Sequence, residues 1–248
     1  MTLNLRNLSA GYERHPAVHH IDGSFAEGSL TAIVGPNGGG KSTLLKTIIG
    51  ILRPMSGAVE CTGIPPDSIA YLPQHSEVDR SFPLSVFDVA ALGHWPRIGA
   101  FRGLSVAQRD TVIHALTETG MRAFADRPIE ALSIGQWQRV LFARLIVQDA
   151  RVILLDEPFA AIDSRTAHDL THILQHWGKE GRTVIAVMHD LASVRIHFPY
   201  ALLLAREAVA WGSTAEVLRD ENLARAQKLA EGWVEHAEAC EINGGHAA

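Results

Sequence analysis

The residues that most constrain this chain are 35–42, Gly-Pro-Asn-Gly-Gly-Gly-Lys-Ser, a complete match to the pattern G-x-x-x-x-G-K-[ST]. They sit between a short apolar run, Thr31 to Val34, and a segment with Leu44, Leu45, Ile48 and Ile49 at helical spacing, which predicts a strand before the loop and a helix over Lys41 to Leu52. A loop of Gly35, Pro36, Asn37, Gly38, Gly39 and Gly40 lets backbone N–H groups curl around phosphate oxygens where larger side chains would clash. The helix N-terminus adds partial positive charge. On this reading Lys41 reaches the β- and γ-phosphates of ATP, Ser42 ligates Mg²⁺ and Thr43 bonds the α-phosphate.

A second run answers the first. Residues 152–158 read Val-Ile-Leu-Leu-Asp-Glu-Pro, four apolar residues ending in two carboxylates. That places the acids at the carboxyl edge of a parallel sheet, where open α/β sheets bind ligands. Asp156 is then a Mg²⁺ ligand, and Glu157 orients and deprotonates the attacking water. Attack on a γ-phosphate is mostly positioning and charge stabilisation, so the base must stand beside the metal ligand and not coincide with it.

Short apolar runs alternate with helical patterns along the chain, which predicts α/β architecture. Ala58 to Cys61, Ile69 to Leu72, Val152 to Leu155 and Thr183 to Met188 read as strands, the last two parallel and joined by a helix over Ser164 to Trp177. Tyr200 to Ala205 and Ala208 to Trp211 read as a hairpin. Between about Pro83 and Gln148 β-branched runs give way to three helical patterns, Leu84 to Leu92, Val106 to Thr119 and Gln136 to Val147, which suggests a helical subdomain inserted between two core strands.

Composition narrows the class. With 248 residues, 47% hydrophobic, the chain suits one large domain or a core with a subdomain. A formal net charge of -5 argues against a generally basic nucleic-acid binder. Cys61 and Cys240 lie far apart and read as free thiols in a reducing compartment. No apolar run approaches the roughly 20 residues a spanning helix needs. The first residues, MTLNLRNLSAGYERH, lack a signal-peptide pattern, so a cytoplasmic chain is expected.

Residues 132–139, Leu-Ser-Ile-Gly-Gln-Trp-Gln-Arg, resemble the signature motif of the ABC ATPases, with Ile134 where Gly is common. Other elements of that family follow in order: Tyr12 resembles the aromatic that stacks on adenine, Gln74 the glutamine that senses Mg²⁺ and the γ-phosphate, Asp163 the aspartate at the dimer interface, and His189 the switch histidine. The resemblance implies a P-loop NTPase fold with a RecA-like mixed sheet, an inserted helical subdomain at about 76–149 and an N-terminal antiparallel β region. It covers residues 1 to about 220, and one domain is expected over 1–230, leaving 231–248 as a polar tail. It also implies a head-to-tail dimer in which Ser133, Gly135 and Gln136 complete the ATP site of the opposite subunit, a separate membrane permease, and a location on the inner face of the cell membrane. No nucleic-acid partner is implied.

Cargo rests on a finer likeness. The stretches from Ser76 to Pro83 and from Ala91 to Gly99, and Phe159 where many relatives carry Thr, are similar to zinc and manganese importer ATPases, which implies a periplasmic or extracellular metal-binding protein as an indirect partner. Zinc leads and manganese follows. An iron-chelate or haem cargo, and a soluble non-transport ABC ATPase, stay open. Two histidine groups stand apart from these motifs: His168, His172 and His176 recur every four residues, and His236, Cys240 and His246 lie in the tail. The expected reading of both is a solvated surface.

Overall fold

The computed structural model of the chain describes residues 2–13, 15–65, 68–74, 80–99 and 103–235. Its centre is a six-stranded sheet of β3 (Leu30–Val34), β5 (Ile69–Leu72), β6 (Val152–Asp156), β7 (Thr183–Val187), β8 (Tyr200–Ala205) and β9 (Glu207–Ser213), in the order β5-β6-β7-β3-β8-β9. Five of these strands are parallel and β9 alone runs antiparallel, pairing with β8 as the expected hairpin. β1 (Thr2–Tyr12), β2 (His15–Phe25) and β4 (Ser56–Thr62) form a second, antiparallel sheet in the order β2-β1-β4.

Alternation along the parallel strands divides the interior into two cores. Ala32, Val34, Ile153, Leu155, Val184 and Ala186 face one core, with α5 (Ile134–Gln148) and α6 (Ser164–Lys179) packed on it. Ile33, Val152, Leu154, Ile185 and Val187 face the other, which α1 (Lys41–Ile48) fills with Leu44, Leu45 and Ile48 under Leu3, Leu5, Leu8 and Ile21 of the antiparallel sheet. The near-continuous apolar runs of β3, β6 and β7 follow from being covered on both faces.

Between β5 and β6 the chain forms α2 (Val86–Ala91), α3 (Trp95–Ile98), α4 (Val106–Glu118) and α5, the helical run expected there, although residues 76–79 at its predicted start lie outside the described residues. α2, α4 and α5 each begin on a serine that caps the helix in a reciprocal box with the residue three positions on: Ser85 with Asp88, Ser105 with Gln108, Ser133 with Gln136. α6 follows the acidic strand and returns the chain to β7, with α7 (Leu191–His197) beyond it.

Several element ends shift by one or two residues, and two boundaries depart further from expectation. α1 stops at Ile48 instead of continuing to Leu52, because Gly50 takes a left-handed conformation (φ 84°) and the Leu52 N–H returns to the Lys46 carbonyl. Leu52 still packs on the core, which is why the apolar periodicity ran past the helix end. After α8 (Thr214–Val217), α9 (Asp220–Glu235) crosses the predicted tail boundary at 230/231; residues 236–248, with His236, Cys240 and His246, lie outside the described residues.

Candidate functional site

The glycine loop leaves the C-terminal end of β3 and enters α1 directly. Gly40, the residue before the helix, has φ 87°, and a Cβ there would meet Val18 Cγ1 at 2.3 Å and the Ala17 carbonyl at 2.4 Å. Glycine is therefore required at this position for two independent reasons, the left-handed backbone and the approach of β2. Lys41 is almost fully buried and its ammonium donates to the Gly35 and Pro36 carbonyls, both at 2.9 Å. Burial holds its pKa below the ordinary lysine value, while the charges of Glu157 and Asp156 pull it back up. A phosphate oxygen is a charged acceptor and would compete for the same ammonium.

β6 carries the acids to the same edge. Asp156 is 1% exposed; its Oδ1 accepts from the Ser42 hydroxyl at 2.9 Å and its Oδ2 from the Tyr71 hydroxyl at 3.4 Å. Ser42 and Asp156 thus form an all-oxygen donor set across 114 residues of sequence. Two oxygens at cis positions of an octahedron with bonds of about 2.1 Å stand about 3 Å apart, so the spacing fits a Mg²⁺-sized ion.

Glu157 follows immediately, in a left-handed conformation (φ 51°) that takes its side chain off the line of the strand. Its carboxylate lies between two partners: Gln74 Nε2 donates to Oε2 at 2.9 Å, and His189 Nε2 stands 2.7 Å from Oε1. Gln74 comes from the segment after β5 and His189 from the residues after β7, so three strand ends converge on one carboxylate. Ala17, Asn37, Gly38, Gly39, Gly40, Lys41, Ser42, Thr43, Gln74, Glu157 and His189 line a cavity of about 520 Å³.

The remaining predicted residues lie elsewhere. Tyr12 is half exposed at the end of β1, beside the turn into β2, and does not line the cavity, whose wall here is Ala17 of β2. Ser133, Gly135 and Gln136 open α5 on the surface, with Ile134 exposed between them. Asp163 caps α6: its Oδ1 accepts from the Thr166 N–H at 2.9 Å and its Oδ2 from the Thr166 hydroxyl at 2.8 Å, bonds that hold the Asp163 pKa below its ordinary value. Gly135 lies against this cap, where a Cβ would meet Thr166 Oγ1 at 3.4 Å and Asp163 Oδ2 at 3.6 Å.

Two links escaped the sequence reading. Buried Gln138 of α5 donates to the Pro158 carbonyl at 2.8 Å, tying the helix to the residue after Glu157. Arg139, one position on, pairs with Asp169 of α6 at 2.7 Å. Residues 132–139 carry no signal for either link, because Pro158 and Asp169 reach α5 only through tertiary packing.

The profile of the family described as "ABC transporter" matches residues 18–160. The manganese transport system ATP-binding protein MntB of Bacillus subtilis is 38% identical and the match covers 89% of this chain and 90% of that protein. The zinc transport system ATP-binding protein TroB of Treponema pallidum is 39% identical, covering 89% and 84%. Among solved structures, one described as an inward-facing metal-chelate type ABC transporter superimposes with a TM-score of 0.81 at 29% identity, over 92% of this chain and 89% of that one. A dimeric ATP-binding cassette in a post-hydrolysis state, bound to ADP and Pi, gives 0.74 at 25% identity, over 86% and 98%.

Proposed function

Because the chain belongs to the ABC transporter family, as the ATP-hydrolysing subunit of a metal transport system, we propose that it drives import of a divalent transition metal, zinc or manganese, through a separate membrane permease. The observation that carries the mechanism is the Glu157 carboxylate held between Gln74 and His189 at the wall of the phosphate-loop cavity.

In this mechanism the glycine loop and Lys41 bind the phosphates of ATP, with Thr43 at the α-phosphate and Tyr12 against the adenine. Ser42 and Asp156 would hold Mg²⁺, assisted by Gln74, and the ion would supply positive charge against the phosphates. Glu157 accepts the proton of the attacking water. Gln74 and His189 fix its orientation, and His189 also donates to the γ-phosphate oxygens. Positioning dominates phosphoryl transfer, and a carboxylate fixed at both oxygens loses little freedom on reaching the productive geometry.

The exposed turn at Ser133, Gly135 and Gln136 presents a helix N-terminus away from its own cavity. We assign it to the ATP site of a second copy docked head to tail, with Asp163 at the same interface. That a similar cassette is dimeric supports the pairing of two copies. The domain runs to the end of α9 at Glu235, with the helical subdomain at about 76–149 as the permease-facing part, on the inner face of the membrane; no helix among the described residues is long and apolar enough to cross it. The metal-binding protein that delivers cargo lies on the far side.

The relatives named for manganese and for zinc are about equally similar, so the sequence-stretch preference for zinc is widened to both metals. A metal chelate is the second reading, favoured by the likeness to the metal-chelate type transporter. Reconstitution of the chain with its permease in vesicles tests all three. ATP-dependent uptake of radiolabelled zinc or manganese is the expected result, and ATP hydrolysis with uptake of neither ion, free or chelated, overturns the proposal.

A further inference from the structure

α6 carries the sequence His168-Asp-Leu-Thr-His172, two histidines at i and i+4 on one exposed helix face. Their rings stand edge to face, with centroids 4.5 Å apart and an interplanar angle of 83°. The two Nε2 atoms lie 3.3 Å from each other, so both rings bring the same nitrogen to one place on the helix surface.

That spacing has a chemical meaning. Imidazole nitrogens bind zinc at about 2.0–2.1 Å in a tetrahedral arrangement, which puts two such nitrogens about 3.3–3.4 Å apart. The i, i+4 histidine pair on a helix is also the sequence spacing by which helices chelate zinc. Two of the four ligand positions are thus already placed.

We infer that His168 and His172 form a surface chelate for a borderline divalent metal ion, zinc before manganese, separate from the phosphate-loop site. Imidazole favours zinc over manganese in the usual order of divalent affinities, so the preference is set by the ligand type and is independent of which metal the transporter moves. Among the described residues no group of three or more His, Cys, Asp or Glu side chains converges to hold a metal, so water completes the coordination and the site exchanges its ion readily. His176 does not join: its Nε2 pairs with Glu180 at 3.2 Å, one turn further along the helix. Asp169 is likewise committed, to Arg139 at 2.7 Å.

His168, though not His172, lines a cavity of about 410 Å³ that shares Glu157 and His189 with the phosphate-loop cavity.

The test is zinc binding to the full chain in excess Mg²⁺, followed by competition with a chromophoric chelator. The double variant His168→Asn/His172→Asn is expected to lose one zinc equivalent, and each single variant to bind that equivalent at least tenfold more weakly. His176→Asn and the tail variant His236→Asn/Cys240→Ser are expected to keep it. A neutral N–H···N bond between the two rings would give the same spacing with no metal site, and it would leave zinc uptake identical in parent and double variant, which overturns the proposal. If the double variant misfolds, cobalt(II) replaces zinc. The parent then shows tetrahedral ligand-field bands that His172→Asn lacks, and bands that persist in His172→Asn are equally fatal.

Discussion

Lys41 and Ser133 each stand where a loop passes into a helix, yet the two junctions are built differently. At Lys41 the loop packs against β2 and β8, and the polar side chains around it are partnered: the Gly35 and Pro36 carbonyls for Lys41, Asp156 for Ser42, Gln74 and His189 for Glu157. At Ser133 the helix caps itself with Gln136, three residues away, and the turn faces outward. Its contacts behind are to α6, through Gly135 against the Asp163 cap and Arg139 on Asp169. The first junction draws its partners from within one chain, whereas the second exposes a helix N-terminus with its partial positive charge. On the proposed head-to-tail arrangement, hydrolysis needs both.

That contrast can be broken in three ways. The largest effect is expected at the base: Glu157→Gln should lower turnover by about 10²–10⁴-fold while ATP binding persists, measured by phosphate release beside a nucleotide titration. Parental turnover in that variant would remove Glu157 from its role and leave the convergence of Gln74 and His189 without a purpose. Next is Lys41→Ala, which should weaken ATP binding by about ten- to a hundredfold, since a charged hydrogen bond contributes about 1.5–3 kcal/mol. Unchanged affinity would mean that the buried ammonium serves the loop carbonyls only.

The smallest effect sharpens the comparison most. Ser133→Ala removes the cap of α5 and should cost about 1 kcal/mol of stability, seen as a lower melting temperature. ATP affinity of the isolated subunit should stay at the parental value while hydrolysis at concentrations that favour dimers falls. If instead affinity in the isolated subunit drops as far as it does for Lys41→Ala, the turn belongs to its own cavity and the outward reading fails.

Much of this was legible before any coordinates. A glycine loop between a strand and a helix has few physical uses, and four apolar residues ending in Asp156 and Glu157 name a sheet edge. The helical run between β5 and β6 was legible because a change from β-branched to helical periodicity is local. The end of α1 was not, because the apolar spacing of Ile49 and Leu52 serves core packing whether or not the backbone is helical, and only Gly50 marks the stop. Gln138 and Arg139 were also missed. Both read as ordinary helix residues, and what they touch, Pro158 and Asp169, is fixed by how α5 lies on its neighbours.

The sequence by itself determined the chemistry: which residues bear charge, which backbone positions must be glycine, and that phosphate and an all-oxygen cation site belong together, because these follow from side-chain identity at short spacing. Only the tertiary structure decided that Gln74 and His189 share the Glu157 carboxylate, that Ser133 lies on the surface outside their cavity, and that the Nε2 atoms of His168 and His172 stand 3.3 Å apart while His176 pairs with Glu180. Strand order and helix packing bring together groups separated by tens of residues, and that information is spread across the whole core instead of residing in any one motif.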